Sequence, residues 1–240
     1  MNTPDNEVAI TVAVQGNLTA VGTFGGGLFL VDLATAYLHA LQGHTNAVWS
    51  VIFDGDEIIS GSEDQTVRVW DKISGRETLR IDVGAIIWSV AAHENLLVAG
   101  LGNSTVRVFD RASGGLRHVL TEATGEVTAV AIDAQRMVSG SADYKVRVYA
   151  VPSFQLVRVL GHTDWVYSVA LEGDRIVSGS RDNTVRVWDA RSGDALHVLQ
   201  GHSDFVNSVS LLGSEIVSGS DDGSVRIWDA ETGASTRVLD

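Results

Sequence analysis

Three sets of histidine, serine and aspartate residues in this sequence have the types that nucleophilic catalysis uses. In each set the serine follows the histidine by 16 residues and the aspartate follows it by 20. A serine activated by a histidine, which an aspartate in turn orients, is the arrangement of a hydrolase triad. An active site needs one such set, whereas this chain repeats the set three times at constant spacing. The repetition therefore predicts a structural role. The sets are His44, Ser60 and Asp64; His162, Ser178 and Asp182; and His202, Ser218 and Asp222.

The three sets belong to a longer repeat. Motifs of the form Val-Arg-Val-aromatic, with Ile for the second Val in the last unit, recur with a step of 39 or 40 residues, and a small residue precedes each aromatic residue by ten positions. Extending the same spacing towards the N-terminus gives a weaker sixth unit, with Val8 and Ala20 at the strand positions. A period near 40, with short Val-, Ile- and Thr-rich segments between Asp, Gly and Ser turns, predicts four β-strands in each unit. The five aromatic residues are Trp70, Phe109, Tyr149, Trp188 and Trp228.

These motifs resemble those of the WD-repeat β-propeller family. Gly-His pairs open three units, and Ser-Gly-Ser … Trp-Asp phrases follow at 60–71, 178–189 and 218–229. The resemblance implies an all-β fold, a six-bladed WD-repeat β-propeller with four antiparallel strands per blade. It predicts a single domain over residues 1–240. The blades are expected at about 7–42, 43–82, 83–121, 122–160, 161–200 and 201–240.

The resemblance also assigns the three sets to a structural relay. In the family, matching residues form hydrogen bonds from a loop carboxylate through an imidazole and a hydroxyl to a strand-c indole. The relays implied here end on Trp70, Trp188 and Trp228. Val83 and Ala123 replace the histidine in the third and fourth units, and Gly25 stands at the aspartate position of the first unit.

Composition excludes several kinds of partner. The net charge is −13, so we expect no nucleic-acid binding and no attraction to anionic membrane surfaces. No apolar run approaches the ~18 residues that span a bilayer. The absence of cysteine excludes a thiol nucleophile and a disulfide scaffold. A cytoplasmic location is the simplest expectation for such a chain. We expect no cofactor and no metal site.

The residues around the start of strand a and the b–c turn could form a binding site on the top face. Clustered aromatic residues at such a position favour an anchoring site for a peptide. The alternative is that they only pack against one another and close the end of the ring. The candidate residues are Trp49, Trp88, Trp165, Tyr167, Phe205, Phe24, Glu63, Glu126, Arg181 and Asp221.

Sequence segments such as LQGHTNAVWSV and IVSGS are most similar to those in the propellers of F-box/WD-repeat proteins. Members that bind phosphorylated peptides use several arginines on this face, whereas the candidate site here has only Arg181 among acidic residues. The resemblance therefore extends to a peptide-binding face and not to phosphopeptide recognition.

The sequence predicts a non-enzymatic scaffold that binds a peptide or protein segment. The alternative is a purely structural or assembly propeller, a fragment or an engineered repeat array with no ligand of its own. A propeller hydrolase would need a metal or acid cluster that the top-face residues do not supply. The chain is also expected to begin with an inner strand and end with an outer one, so the seam between blades 1 and 6 could join a second chain in a homo-oligomer.

Overall fold

The computed structural model describes residues 8–239, and the elements within that range are β-strands. The strands form six antiparallel sheets of four, and each sheet is contiguous in sequence. The all-β prediction of six four-stranded blades is confirmed. The predicted ends of the domain at residues 1–7 and 240 lie outside the described residues.

We number the sheets 1 to 6 in chain order and call the four strands of each sheet a to d. Sheet 1 contains β1 (Ala9–Gln15), β2 (Leu18–Thr23), β3 (Leu28–Asp32) and β4 (Tyr37–Ala40). Sheet 2 contains β5 (Val48–Asp54), β6 (Glu57–Ser62), β7 (Thr66–Asp71) and β8 (Glu77–Asp82). Sheet 3 contains β9 (Ile87–His93), β10 (Leu96–Leu101), β11 (Val106–Asp110) and β12 (Leu116–Leu120).

Sheet 4 contains β13 (Val127–Ile132), β14 (Arg136–Ser141), β15 (Lys145–Ala150) and β16 (Gln155–Gly161). Sheet 5 contains β17 (Val166–Glu172), β18 (Arg175–Ser180), β19 (Val185–Asp189) and β20 (Ala195–Leu199). Sheet 6 contains β21 (Val206–Leu212), β22 (Glu215–Ser220), β23 (Val225–Asp229) and β24 (Ser235–Leu239).

The described residues form two compact units. Unit 1 holds sheets 1 to 3 up to residue 119, apart from residues 104–106, and unit 2 holds residues 104–106 and sheets 4 to 6. Each unit has its own apolar clusters, in which β-branched residues on one sheet face pack on the next sheet.

Consecutive sheets of unit 2 pack face to face in a repeating way. We call the face of a sheet that covers the preceding sheet its backward face, and the opposite face its forward face. The forward face of sheet 5 packs against the backward face of sheet 6, which contributes Val206, Ile216, Trp228 and Ala230. The same positions recur one repeat earlier, where sheet 4 packs against sheet 5. Burying such side chains contributes about 1.5–3 kcal/mol each. The forward residues of sheet 5 are Val177, Val185, Val187 and Leu199.

The register of sheet 1 differs by one residue from the sequence prediction. In sheet 2 the pair Val51 and Ser60 is followed by Gly61, which pairs with Ser50. In sheet 1 the matching glycine is Gly22, so the residue at the serine position is Val21 and not Ala20, and strand a begins at Ala9 and not at Val8.

The physical reason is the space available at the glycine. A Cβ on Gly22 would lie 2.6–2.9 Å from Thr11 and Val48, and one on Gly61 would lie 2.4 Å from Ile87 Cγ2. Only glycine permits this approach of the next sheet. The glycine, and not the small residue before it, therefore fixes the register.

Candidate interaction edge and the polar relays

The relay residues of sheet 2 form a continuous chain of hydrogen bonds. His44 Nδ1 lies 2.8 Å from Asp64 Oδ2, and His44 Nε2 lies 2.7 Å from Ser60 Oγ. Trp70 Nε1 donates to the same Ser60 Oγ over 2.9 Å. A neutral imidazole protonated on Nδ1 satisfies every member, because Ser60 Oγ then donates to Nε2 while it accepts from the indole. The chain ties the d–a loop and the b–c turn to strands b and c.

Sheets 5 and 6 repeat this geometry with distances of 2.7–2.9 Å. The serine in each is enclosed, since Ser178 and Ser218 are at most 1% exposed. A buried hydroxyl that already contacts an indole and an imidazole is not placed to attack a substrate. The two chains are His162, Ser178, Asp182 and Trp188, and His202, Ser218, Asp222 and Trp228.

The ionisation of these groups follows from their contacts. Burial would raise the pKa of Asp64, but hydrogen bonds from His44 and Thr66 outweigh it and hold the pKa well below its usual range. The pKa of Asp182 is lowered against burial in the same way by His162 and Thr184. Burial lowers the pKa of His162 despite its contact with Asp182, which keeps the ring neutral.

In sheets 3 and 4, which lack the histidine, arginines of strand c contact the b–c turn or the d–a loop. In sheet 4, Arg147 donates to both carboxylate oxygens of Asp143 over 3.0 and 2.7 Å, and both side chains are 8% exposed. In sheet 3, Arg107 Nη1 donates to the Val83 carbonyl over 2.6 Å. In sheet 4, the buried bidentate pair of Arg147 and Asp143 gives the turn carboxylate a partner where the imidazole is missing.

Sequence reasoning missed a further repeated residue, the second serine of the Ser-Gly-Ser phrase. Ser62 Oγ donates to the Asn46 carbonyl over 2.9 Å and accepts from Asp64 N over 3.0 Å. The repetition of this serine in four units was the signal that could have revealed it. The matching residues are Ser141, Ser180 and Ser220.

The candidate site residues lie along one edge of their sheets, which we call the top edge. It is the edge at which strand a begins and the b–c turn lies. Main-chain hydrogen bonds hold the two segments together: Glu63 N donates to Ala47 O, Arg181 N to Trp165 O and Asp221 N to Phe205 O, over 2.8–3.0 Å. These bonds hold each b–c turn residue beside the residue that precedes strand a of the same sheet.

In unit 1 the top edge carries a stacked aromatic cluster. The ring centroids of Trp49 and Trp88 are 4.9 Å apart at an interplanar angle of 57°, and Phe24 meets Trp49 edge-on at 6.2 Å. Both indoles are partly buried, and Phe24 is 59% exposed. The Nε1 atoms of Trp49 and Trp88 are enclosed and donate to no acceptor among residues 8–239. We call these three residues cluster 1.

In unit 2 the top edge carries cluster 2, formed by Trp165, Tyr167 and Phe205. Tyr167 lies between the other two rings at centroid distances of 6.2 and 6.4 Å. The guanidinium of Arg181 covers two of the rings, at 5.6 Å from the Trp165 centroid and 4.7 Å from that of Phe205. Burial raises the pKa of Tyr167, with Asp164 and Asp221 adding to the effect.

Of the acidic candidate residues, Glu63 and Asp221 belong to sheets that carry a cluster, whereas Glu126 belongs to a sheet that carries none. Glu63 precedes the b–c turn acid of sheet 2, and Asp221 accepts a hydrogen bond from Asn207 beside Phe205. Glu126 belongs to sheet 4, where its carbonyl accepts from Ala142 N over 2.9 Å. Sheet 4 has Thr128 where its neighbour has Tyr167, so it supplies no ring at that position.

The opposite edge of unit 1 has a cavity of about 460 Å³ between the a–b turns of sheets 2 and 3. Arg111 fills part of it and pairs with Asp54 and Glu57, the latter at 2.7 Å. Across residues 8–239, no group of three or more acidic, histidine or cysteine side chains is arranged to hold a metal ion. The same range contains no helix long and apolar enough to cross a membrane.

Comparison with known proteins supports the reading of the repeats. The family model described as WD domain, G-beta repeat matches residues 35–71, 154–189 and 193–229. Each match ends one residue after the tryptophan of a relay. The chain contains WD repeats. WD-repeat propellers generally mediate protein interactions and are typically non-enzymatic scaffolds.

Several curated WD-repeat relatives match parts of the chain. Mitochondrial division protein 1 of Kluyveromyces lactis is 28% identical over 54% of this chain and 16% of its own length. Cell division control protein 4 of Saccharomyces cerevisiae is 38% identical over 25% of the chain and 8% of its length. Human WD repeat-containing protein 37 is 45% identical over 19% of the chain and 10% of its length. The matched segments are therefore small parts of these proteins.

Among solved structures, the chain is similar to a computationally designed protein named Ika8. The TM-score is 0.85 at 27% identity, over 96% of this WD-repeat chain and 74% of the designed one. The likeness supports the assignment of the fold.

Proposed function

We propose that this WD-repeat protein is an interaction scaffold that binds a peptide or protein segment at the top edge of its sheets, through cluster 1 in unit 1 and, separately, through cluster 2 in unit 2. The observation that carries the proposal is that three of the six tryptophans stand on this edge, partly exposed, while the other three are enclosed in the relays. Exposed tryptophan and tyrosine rings that are already stacked offer a large contact area at low cost in conformational entropy.

The composition of the top edge favours a particular class of peptide. Glu63, Glu126 and Asp221 are acidic, and the whole chain carries a net charge of −13. The one cation among the candidate residues, Arg181, is engaged with the rings of cluster 2. A segment with an apolar or aromatic anchor flanked by lysine or arginine is the complement of such an edge. A phosphopeptide would meet more repulsion than attraction there.

The enclosed indole N–H groups of cluster 1 add a second reason. An enclosed donor without an acceptor costs about 1–3 kcal/mol. A bound segment that brings a main-chain carbonyl near Trp49 or Trp88, after a small rotation of the indole, would remove that cost. Binding at cluster 1 therefore gains a hydrogen bond as well as apolar contact.

The test is a titration with synthetic peptides followed by calorimetry. The probes are short peptides with a central tryptophan or leucine flanked by arginines, and the same peptides carrying a phosphoserine next to the anchor. We expect the unphosphorylated peptides to bind more tightly, and raised salt to weaken them. Trp49→Ala should reduce affinity at cluster 1 and Trp165→Ala affinity at cluster 2, each at least about tenfold, as loss of an interface anchor does.

The matched control is Ile73→Ala, which removes a residue that is 83% exposed on a c–d turn at the opposite edge. It should leave affinity unchanged. Equal binding by all four proteins would refute the proposal, and so would tighter binding of the phosphopeptides that Arg181→Ala abolishes. Failure of every peptide to bind would favour the assembly role that the sequence left as the alternative.

A further inference from the structure

The two terminal sheets of the array each expose an apolar face that is buried in the other sheets. In sheet 5 the forward residues Val177 and Val185 are fully buried and Leu199 is 3% exposed. The residues one repeat later in sheet 6 are of the same type but are open to solvent. Their exposed fractions are 37% for Val217, 38% for Val225 and 49% for Leu239.

Sheet 1 has the complementary kind of face. Its register places Val12 and Val14 at the positions of Val51 and Phe53, which belong to the backward face of sheet 2. Val51 is 4% exposed, whereas Val12 and Val14 are each 63% exposed and Leu33 beside them is 64% exposed. Among residues 8–239, the backward face of sheet 1 and the forward face of sheet 6 are thus both exposed.

We propose that these two faces bind each other between copies of the chain, with sheet 1 of one copy seated on sheet 6 of another. The sheet 5–sheet 6 contact is the template, because sheet 6 repeats the forward residues of sheet 5 at the same positions. The chain itself therefore contains the type of surface that fits the exposed one. This proposal is independent of the peptide-binding function proposed for the top edge.

The template also predicts a polar contact that sets the register. Within unit 2, Val209 N donates to Ser168 Oγ over 3.1 Å, and within unit 1, Val90 N donates to Ser50 Oγ over 3.1 Å. The residue of sheet 6 that corresponds to Ser168 is Ser208, which is exposed. The residue of sheet 1 that corresponds to Val209 is Val12. In the assembled pair, Val12 N of one copy donates to Ser208 Oγ of the other.

The contact should be weaker than those within a unit. Sheet 1 has Thr19 and Val31 at the positions of Ile58 and Trp70, so its backward face is less apolar than that of sheet 2. Association through such a face is expected to depend on protein concentration. Because the two faces differ, the contact is heterologous and can repeat to form rings or open chains.

Sedimentation velocity over a hundredfold range of concentration tests the proposal. The wild-type chain should associate, and Val12→Asp and Val225→Asp should each be monomeric alone. Mixed together, these variants should form a one-to-one dimer, since each retains the face that the other has lost. Val159→Asp, at an exposed position of sheet 4, is the matched control and should associate like the wild type.

Cross-linking gives a second test, because a variant that unfolds would also fail to associate in the sedimentation experiment. Ser168 Oγ lies 3.1 Å from Val209 N, so the side chains at these two positions are neighbours across the sheet 5–sheet 6 contact. The matching positions are Ser208 and Val12. Because the chain has no cysteine, a mixture of Ser208→Cys and Val12→Cys should give a disulfide-linked dimer, whereas Ser208→Cys with Val159→Cys should not. A wild-type chain that stays monomeric, or variants that do not complement and do not cross-link, would overturn the proposal.

Discussion

The tryptophans of the relays and those of the top edge show how one residue type serves two roles in this chain. Trp70, Trp188 and Trp228 are at most 5% exposed, and each donates its indole N–H to a serine. Trp49 and Trp88 are partly exposed at their rings, and their N–H groups have no acceptor among the described residues. The hydrogen bonds of each relay are complete within one sheet. The top edge, in contrast, has partly exposed rings and two indole N–H groups that lack an acceptor among the described residues. Stability and interaction can therefore be separated by mutation.

The largest difference is expected between alanine variants of Trp188 and Trp165. Trp188→Ala removes a buried side chain from the sheet 4–sheet 5 core, so the free energy of unfolding should fall by about 3–5 kcal/mol. Trp165→Ala removes a partly exposed ring and should cost about 1 kcal/mol. Urea unfolding followed by circular dichroism measures both. Equal costs would mean that the top edge is part of the core.

The relay serine should matter to stability more than its size suggests. Ser178→Ala leaves the Trp188 indole and the His162 imidazole without their shared partner, and we expect a loss of about 1–3 kcal/mol. Peptide affinity should not change, because the top edge does not contact this serine. The control is Ser214→Ala on an exposed turn, which should be neutral. A neutral Ser178→Ala would contradict the structural role of the relay.

The relay also predicts a pH dependence of stability. Burial lowers the pKa of His162 below its unfolded value of ~6.5, so the unfolded chain binds more protons as the pH falls. The stability from the neutral imidazole is present above that value and is lost on acidification. The lowered pKa of Asp182 adds a further loss when the pH falls towards the usual range of a carboxyl group.

Unfolding of the wild type measured at about pH 7.5 and 5.5 should therefore show a decrease in stability, which is smaller in His162→Gln. His118→Gln, at an exposed position of strand d, should behave like the wild type. A wild type that is more stable at the lower pH would show that the imidazole is charged in the folded protein.

The smallest effect is expected in the b–c turn between relay and top edge. Gly223 adopts a φ of 86° next to Asp222, and the matching residues Gln65, Tyr144 and Asn183 also have positive φ. Gly223→Ala should cost about 1 kcal/mol, because a Cβ disfavours the left-handed region. Gly115→Ala, at a glycine without positive φ, is the control for the turn. Thermal unfolding would distinguish the two variants, and equal midpoints would show that the turn is not strained.

The repeats made most of the fold predictable from the sequence. The repeat predicted four strands in each unit, and sheet 2 has strands b and c at Glu57–Ser62 and Thr66–Asp71, between Asp- and Gly-containing turns. The prediction was wrong in sheet 1, where the small residue Ala20 was taken as the marker and the close approach of Val48 to Gly22 sets the register instead. The spacing of residues along one sheet does not reveal how closely the next sheet approaches it.

The candidate site was predictable as a set of residues but not as an arrangement. Spacing placed Trp49, Trp88 and Trp165 near the start of strand a, where the structure also has them. It could not show that Trp49 stacks on Trp88 or that Arg181 lies over Phe205, because both contacts join different sheets. The role of this edge in binding stays a prediction.

A titration followed by the indole N–H signals in a nitrogen–proton correlation spectrum is the most direct test of peptide binding at the top edge. The chain has six tryptophans and so six such signals, which single Trp→Phe variants assign. On addition of the arginine-flanked peptide, we expect the signals of Trp49, Trp88 and Trp165 to shift while those of the three relay tryptophans stay in place. Shifts confined to the relay indoles, or no shift under conditions where calorimetry detects binding, would contradict it.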